Sequence, residues 1–130
     1  SDWMENIIIN LMRSTNFTGI AASVALFTAN TNLESNAPTA EVSGGSYARQ
    51  AAGLSAPSGG LSSNSANISF PTATADWGVI TDVALVDSIN ATVYGTNINV
   101  MMWSPLDATK NVASGDTFQI NAGDLDVSVS

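Results

Sequence analysis

The sequence predicts a mainly β protein, an antiparallel β-sandwich or jelly-roll-like barrel with one α-helix at its N-terminal end. Short apolar segments rich in Val, Ile and Phe recur along the chain, separated by clusters of Gly, Asn, Ser and Asp. One segment at the start instead has apolar residues at helical spacing. The chain has 130 residues, so we expect a single domain, with a helical segment at 1–14 and a β domain at 20–130.

Residues 2–13 form the segment with helical periodicity. Asp2 is expected to cap the helix, and Glu5 stands three positions later, as in a capping box. Arg13 falls in the last turn, where a cation suits the helix dipole. The apolar stripe comprises Trp3, Met4, Ile7, Ile8, Leu11 and Met12. The stripe is wide for a small domain, so two interpretations stand: packing on the chain's own body, or docking on another subunit.

The strand candidates follow in order. They are 22–28, 46–56, 66–70, 79–87, 91–103 as one or two strands with a glycine kink at Gly95, and two short strands joined near Gly123. Residues 104–117 are expected to be mostly turns around a short segment at 109–112, and the tight reversal around Gly115 is expected to close a hairpin. Asp82 and Asp87 are interpreted as residues that mark strand ends.

The charge balance argues against several classes of partner. The chain has 11 acidic and 3 basic residues, a net charge of -8, and only 11% charged residues. Arg13, Arg49 and Lys110 are far apart, whereas phosphate binding needs clustered cations. We therefore expect no nucleic-acid partner and no anionic membrane partner. A surface of Ser, Thr, Asn and Gly suits a protein fixed in an assembly or an extracellular β protein.

The chemistry available to the chain is limited. It has no cysteine and no histidine, which removes thiol nucleophiles, thiolate zinc sites and imidazole bases. We expect no catalytic residue, no cofactor and no enzyme activity. Asp124 and Asp126 lie two apart and would share one face of a strand. The simpler interpretation is a pair facing solvent, and the alternative is a calcium site with Asp116 or Asn121 as a further ligand.

Residues 40–50, AEVSGGSYARQ, concentrate several unusual features. The glycines at 44 and 45 are expected to supply a turn that other residues resist. Tyr47 and Arg49 would then share one face of the strand that follows, and Glu41 could fold back to pair with Arg49 if the turn is tight. The predicted interface residues are Trp3, Ile7, Leu11, Tyr47 and Arg49.

Four segments in order resemble a group of small tailed-bacteriophage virion proteins, often called tail fibre proteins, some of which are similar to head decoration proteins. The segments are VALFTAN, AEVSGGSYARQ, NSANISFPTATADWGVITDVALVD and TKNVASGDTFQINAGDLDVSVS. The resemblance covers nearly the whole chain and departs from the expected pattern at SINATVYGTNINVMMWSPLD, where a short Gly-rich stretch is expected.

The resemblance implies a structural component of the virion and no enzyme, and it leaves head and tail open. The chain shows no heptads, shaft or repeat, so we favour a decoration or cement protein, a homotrimer that binds the major capsid protein and stabilises the head. The alternative is a tail or tail-fibre component, an adhesin domain that binds a host surface glycan.

Overall fold

In the computed structural model of the protein, residues 1–13, 19 and 21–129 are described. Within them, one helix precedes eight strands. The helix is α1 (Asp2–Met12), and the strands are β1 (Ser23–Phe27), β2 (Gln50–Ala51), β3 (Leu61–Ser63), β4 (Ile68–Ser69), β5 (Gly78–Val86), β6 (Val100–Val112), β7 (Gln119–Ile120) and β8 (Asp126–Ser128). Positions 14 and 20, where the predicted helical segment ends and the predicted β domain begins, lie outside the described residues.

The strands form three antiparallel sheets. The largest has four strands in the order β2-β1-β5-β6, and the two smaller ones pair β3 with β8 and β4 with β7. The predicted mainly β, antiparallel fold with an N-terminal helix is confirmed. In the part of the chain that the structure describes, no sheet closes into a barrel.

Both faces of the central strand β1 are buried. Val24 and Leu26 of β1 belong to the larger apolar cluster, which also holds Phe70 and Phe118 from the segments beside β4 and β7. Ala25 and Phe27 point the other way, into a smaller cluster with Leu33 and Ile98. Because β1 lies between β2 and β5 and is covered on both faces, its run of five buried residues carries no polar alternation.

Strand β6 differs most from the prediction. It continues from Val100 through Val112, across the part of 104–117 that the sequence predicts as turns. Pro105 is tolerated because β6 is the outermost strand of its sheet, where a missing N–H need not leave a partner unpaired. Residues 106–109 form a bulge opposite the single residue Thr81.

Two other strand predictions were wrong. Of the predicted strand 46–56, only Gln50 and Ala51 form a strand, and Leu54 adds an isolated bridge to Asn64. The positive φ angles at Gly44, Gly45 and Ser46 hold the start of the segment in a turn. The reversal at Gly115 is present, with φ 93°, but it joins β6 to β7 in different sheets and closes no hairpin.

Segment 91–99, predicted as strand, contains a turn at Gly95 (φ 81°), and the strand starts only at Val100. Asp87 follows β5, as predicted for a residue that marks a strand end. Asp82 does not, because it lies inside β5 and is 3% exposed.

Helix α1 is held to the body at its first turn. Ser1, and not Asp2 as predicted, is the N-cap: its Oγ accepts a hydrogen bond from the Met4 N–H at 3.3 Å. The Ser1 hydroxyl also donates to the Val100 carbonyl, and the Asp2 N–H donates to the Glu34 carbonyl at 3.2 Å. With 11 residues, this helix is too short to span a bilayer, and none of the described residues forms a longer one.

Candidate functional site

The turn at residues 44–46 brings the two ends of AEVSGGSYARQ together. Gly44, Gly45 and Ser46 have φ angles of 74°, 56° and 65°, and the Tyr47 N–H donates to the Gly44 carbonyl at 3.0 Å. Three consecutive left-handed residues reverse the chain within a few positions. The acid before the turn, Glu41, therefore lies next to the residues that follow it.

Before and after the turn, the chain runs beside β1. Glu41 bridges to Phe27, and the Val42 N–H donates to the Leu26 carbonyl at 3.0 Å. After the turn, Gln50 pairs with Val24 in antiparallel register. The buried strand β1 thus fixes both approaches to the turn, and the side chains between them face one another.

The carboxylate of Glu41 accepts four hydrogen bonds. The Arg49 Nε–H donates to one oxygen and Nη2–H to the other, both at 2.7 Å. The hydroxyl of Tyr47 donates to the first oxygen at 2.7 Å, and that of Tyr94 donates to the second at 2.8 Å. Glu41, Tyr47, Arg49 and Tyr94 are called the Glu41 cluster below. The predicted pairing of Glu41 with Arg49 is confirmed.

The Glu41 cluster connects distant parts of the chain. The Nη1–H of Arg49 donates a hydrogen bond to the Ala91 carbonyl at 2.7 Å. This bond attaches the loop after β5 to the cluster. The Tyr47 hydroxyl accepts the Leu26 N–H at 3.1 Å, which ties the cluster to β1. The Tyr47 ring stacks on Phe70, with ring centroids 6.2 Å apart, so the same side chain also enters the larger apolar cluster.

Burial and the Glu41 charge set the protonation states of the cluster. Burial, and then the nearby Glu41 carboxylate, raise the pKa values of the Tyr47 and Tyr94 hydroxyls well above their ordinary value. Burial alone would lower the pKa of the Arg49 guanidinium, but its hydrogen bonds to Glu41 and the charge of that carboxylate outweigh the burial and raise the pKa. Arg49 therefore remains a cation and both tyrosines remain neutral hydrogen-bond donors.

A cleft of about 440 Å³ opens beside the Glu41 cluster. Glu41, Tyr47 and Arg49 line it, together with exposed residues on its two sides. Those exposed residues are Ser43, Gly44, Ala48, Ile89, Asn90 and Thr92. The cluster donors point at Glu41 and at backbone carbonyls, so the polar side chains that a ligand would meet are mainly those of Ser43, Asn90 and Thr92.

The predicted interface residues occupy different environments. Trp3 is partly buried and packs against the larger apolar cluster, and Ile7 is half-buried. Leu11 is 47% exposed. Tyr47 and Arg49 direct their polar atoms into the Glu41 cluster of their own chain. The role of these five residues in a subunit interface stays a prediction.

The alternative of a calcium site on the last strand receives no support. Asp126 accepts the Ser63 hydroxyl at 2.5 Å, and Asp116 caps its own turn by accepting the Ala113 N–H at 3.0 Å. Among the described residues, the carboxylates that do converge are elsewhere, on Asp2, Glu5 and Glu34, and all three are exposed.

Two features of the structure, the Tyr94 contact with Glu41 and the buried Asp82 carboxylate, were not predicted from the sequence. Tyr94 sits in the segment that departs from the family pattern, and no local periodicity connects it with Glu41. Asp82 has a buried Oδ1 with no hydrogen-bond partner in the described part of the chain. Its position inside the apolar strand β5 could have indicated this from the sequence. An acidic side chain that is buried without a partner costs free energy, so a lone acid in such a strand is unusual.

Comparison with known proteins assigns the family. None of the curated proteins compared with the chain gives a significant match. A family model described as Podophage GP4 fiber I protein gp80 matches residues 1–128. The match spans the helix, the Glu41 cluster and all three sheets, and it agrees with the resemblance to small phage virion proteins. The chain therefore belongs to the Podophage GP4 fiber I protein gp80 family and is a structural protein of the phage virion.

Proposed function

We propose that the chain is a non-enzymatic structural subunit of a phage fibre and that it works by assembling with other virion subunits. The observation that carries this proposal is the match of residues 1–128 to a family described as a podophage fibre protein. The chemistry of the chain supports it, since the chain has no His or Cys and the Glu41 carboxylate already accepts hydrogen bonds from four donors.

The contacts inside the chain suit a rigid subunit of a fixed assembly. The Glu41 cluster and the two apolar clusters connect β1, the turn at 44–46 and the loop after β5 into one unit. The surface carries few charges, with 11% charged residues in the chain. Such a surface suits many polar and apolar contacts in a fixed assembly. Its first partners would be copies of the same chain, in a homotrimer or another closed arrangement.

Head decoration is the second candidate function. In this role the chain would bind the major capsid protein and stabilise the head through many small interfaces. The observation that favours it is the arrangement of the described residues, which form three separate sheets and an 11-residue helix and contain no repeated shaft element.

Location in the virion separates the two candidates. Antibodies against the chain, used for gold labelling of purified particles, should mark fibres near the tail if the fibre role is correct. Quantitative mass spectrometry should then give far fewer copies than of the major capsid protein. Labelling over the whole head, with copy numbers close to those of the major capsid protein, would overturn the fibre role and support decoration.

A fibre subunit in this role could also contact a host glycan, and the cleft beside the Glu41 cluster is the candidate place. Ser43, Asn90 and Thr92 supply exposed polar groups on a concave surface of the kind that binds small ligands. Purified protein should bind host cells, and replacing Asn90 and Thr92 with alanine should abolish that binding. Equal binding by this variant would exclude the cleft, and no binding by the intact assembly would exclude the adhesin role.

A further inference from the structure

Helix α1 has a face turned away from the body, and we propose that this face pairs antiparallel with the same face of a second copy of the chain. Glu5 and Ile9 of α1 and its C-cap residue Arg13 are spaced four residues apart, so they follow one side of the helix. We call these three residues the outward stripe. Glu5 and Arg13 are exposed, Ile9 is 51% exposed, and Met12 beside the stripe is 75% exposed.

The outward stripe is separate from the side of the helix that the body covers. Trp3 and Met4 are partly buried against the larger apolar cluster, and Ile7 and Ile8 are half-buried. Ile9 therefore lies on the other side of the helix from the contacts that the described residues make with the body. Its exposure, next to an exposed methionine, leaves apolar surface between two charged ends.

Among the described residues, neither Glu5 nor Arg13 forms an ion pair with another side chain. The ion pair between two side chains in the described residues is Glu41–Arg49. Within the described part of the chain, the Arg13 side chain donates to the Asn10 Oδ1, at 3.2 Å. At the other end, the carboxylate oxygens of Asp2, Glu5 and Glu34 lie within 4.8 Å of one another, so an added cation would relieve their mutual repulsion.

A second copy of the chain supplies that cation by symmetry. When two α1 helices run antiparallel around a twofold axis at Ile9, each residue four positions before Ile9 faces the residue four positions after it. Arg13 of each copy then faces Glu5 of the other, and the two Ile9 side chains meet at the axis. A parallel pair would instead place the two acidic ends together, so charge favours the antiparallel arrangement and a self-complementary partner.

The pair is small. A helix of 11 residues is about 16 Å long, and one such contact is well below the ~800 Å² per partner that stable complexes bury. We therefore expect weak association of the free chain, strengthened where other contacts already hold several copies together. For its biological use, this pairing rests on the proposed role as an assembling virion subunit.

Cysteine cross-linking tests the alignment directly, because the chain has no cysteine of its own. Ile9→Cys places one thiol at the proposed twofold axis. Val93→Cys is the matched control, since Val93 is 52% exposed against 51% for Ile9. Under mild oxidation at high protein concentration, the Ile9→Cys chain should form a covalent dimer several times faster than the Val93→Cys chain. Equal rates would overturn the proposal.

Charge reversal tests the partner across the pair. Sedimentation equilibrium should show about tenfold weaker self-association for Arg13→Glu and for Glu5→Arg, and recovery for the double variant, because reversing both charges restores both pairs. Thermal unfolding must show that each variant folds. A double variant as weak as the single ones would overturn the pairing. Gold labelling of virions tests the structural role separately, so either can fail without the other.

Discussion

Glu41 and Arg49 face each other with two parallel hydrogen bonds, each 2.7 Å long, between the two carboxylate oxygens and the Nε–H and Nη2–H of the guanidinium. Arg49 is 9% exposed, and its third nitrogen binds a carbonyl of the loop after β5. Both charged groups therefore have hydrogen-bond partners: the carboxylate binds the guanidinium, and the guanidinium also binds a backbone carbonyl. The pair therefore stabilises the relative positions of three segments that otherwise share few backbone hydrogen bonds.

Replacing Arg49 with methionine should destabilise the fold by about 3–5 kcal/mol, because the largely buried Glu41 carboxylate loses the cation that pairs with it while staying mostly desolvated. Arg49→Lys should cost less, about 1–3 kcal/mol, since it keeps the charge but loses the paired geometry. Urea unfolding followed by tryptophan fluorescence measures both.

The control for these variants is Arg13→Met, measured at low protein concentration. Arg13 is exposed, so its loss should change the free energy of unfolding by no more than about 0.5 kcal/mol. If Arg49→Met is as mild as Arg13→Met, the pair does not contribute to the fold as its geometry implies.

How far the sequence could predict this cluster depends on distance along the chain. Glu41 and Arg49 are eight residues apart across a glycine turn, so their pairing followed from local turn chemistry. Tyr94 is 53 residues from Glu41 in the sequence, and its contact depends on the path of the loop after β5. No periodic pattern in the sequence predicts the path of this loop. The contact between Tyr94 and Glu41 is therefore visible only in the folded structure.

Stability should fall as the pH rises above the ordinary tyrosine value of about 10. Tyr47 and Tyr94 have raised pKa values in the folded state, so above pH 10 the unfolded chain binds fewer protons than the folded one. The stabilisation is complete below that pH and is lost as the pH increases, by up to about 1.4 kcal/mol per pH unit for each tyrosine. Urea unfolding across this pH range measures the slope.

The two tyrosines are the only ones in the chain, which makes their ionisation easy to follow. Tyrosinate absorbance should appear only as the protein unfolds, and Tyr47→Phe should roughly halve the slope of stability against pH. Tyrosinate signal in a protein that remains folded near pH 10 would show that the hydroxyls are not protected.

Replacing Gly44 or Gly45 with alanine should reduce the stability of the fold by different amounts. Both have positive φ, so either replacement costs about 1–2 kcal/mol. A Cβ at Gly44 meets no atom within 4 Å, whereas a Cβ at Gly45 lies 2.9 Å from Trp77 Nε1 and 3.0 Å from the Ala75 carbonyl oxygen.

Gly45→Ala should therefore cost roughly 1–3 kcal/mol more than Gly44→Ala, since packed side chains and backbone must move. The clash also threatens the hydrogen bond from Trp77 Nε1–H to the Gly45 carbonyl at 2.8 Å. Thermal unfolding of the two variants gives the difference. Equal losses would mean that only the φ angle matters at this turn.

The sequence predicted the central strands well and the edge strand poorly, for a physical reason. β1 and β5 lie inside the sheet, so burial on both faces leaves a continuous apolar run that marks them in the sequence. β6 is at the edge, and most of its residues from Ser104 to Asn111 are exposed. Its composition resembles a loop because solvent, and not a neighbouring layer, covers it.

The buried carboxylate of Asp82 should make the fold less stable than an apolar side chain at the same position would. Its Oδ2 accepts the Thr81 hydroxyl at 2.6 Å, but Oδ1 is buried without a donor in the described residues. Its strand neighbours are Phe27, which has no polar side chain, and Pro105, which has no N–H. Asp82→Val has similar volume and should stabilise the fold by about 1–3 kcal/mol, because no desolvated oxygen remains unpaired.

Asp87→Val is the matched control for that substitution. The Asp87 carboxylate accepts the Asn99 backbone N–H at 2.5 Å and the Asn99 side-chain amide at 2.9 Å, so its loss should destabilise the fold by about 1–3 kcal/mol. Urea unfolding of both variants should thus give shifts of opposite sign. If Asp82→Val instead destabilises the chain as Asp87→Val does, the Asp82 carboxylate has a stabilising partner, and the assignment of Oδ1 as unpaired is wrong.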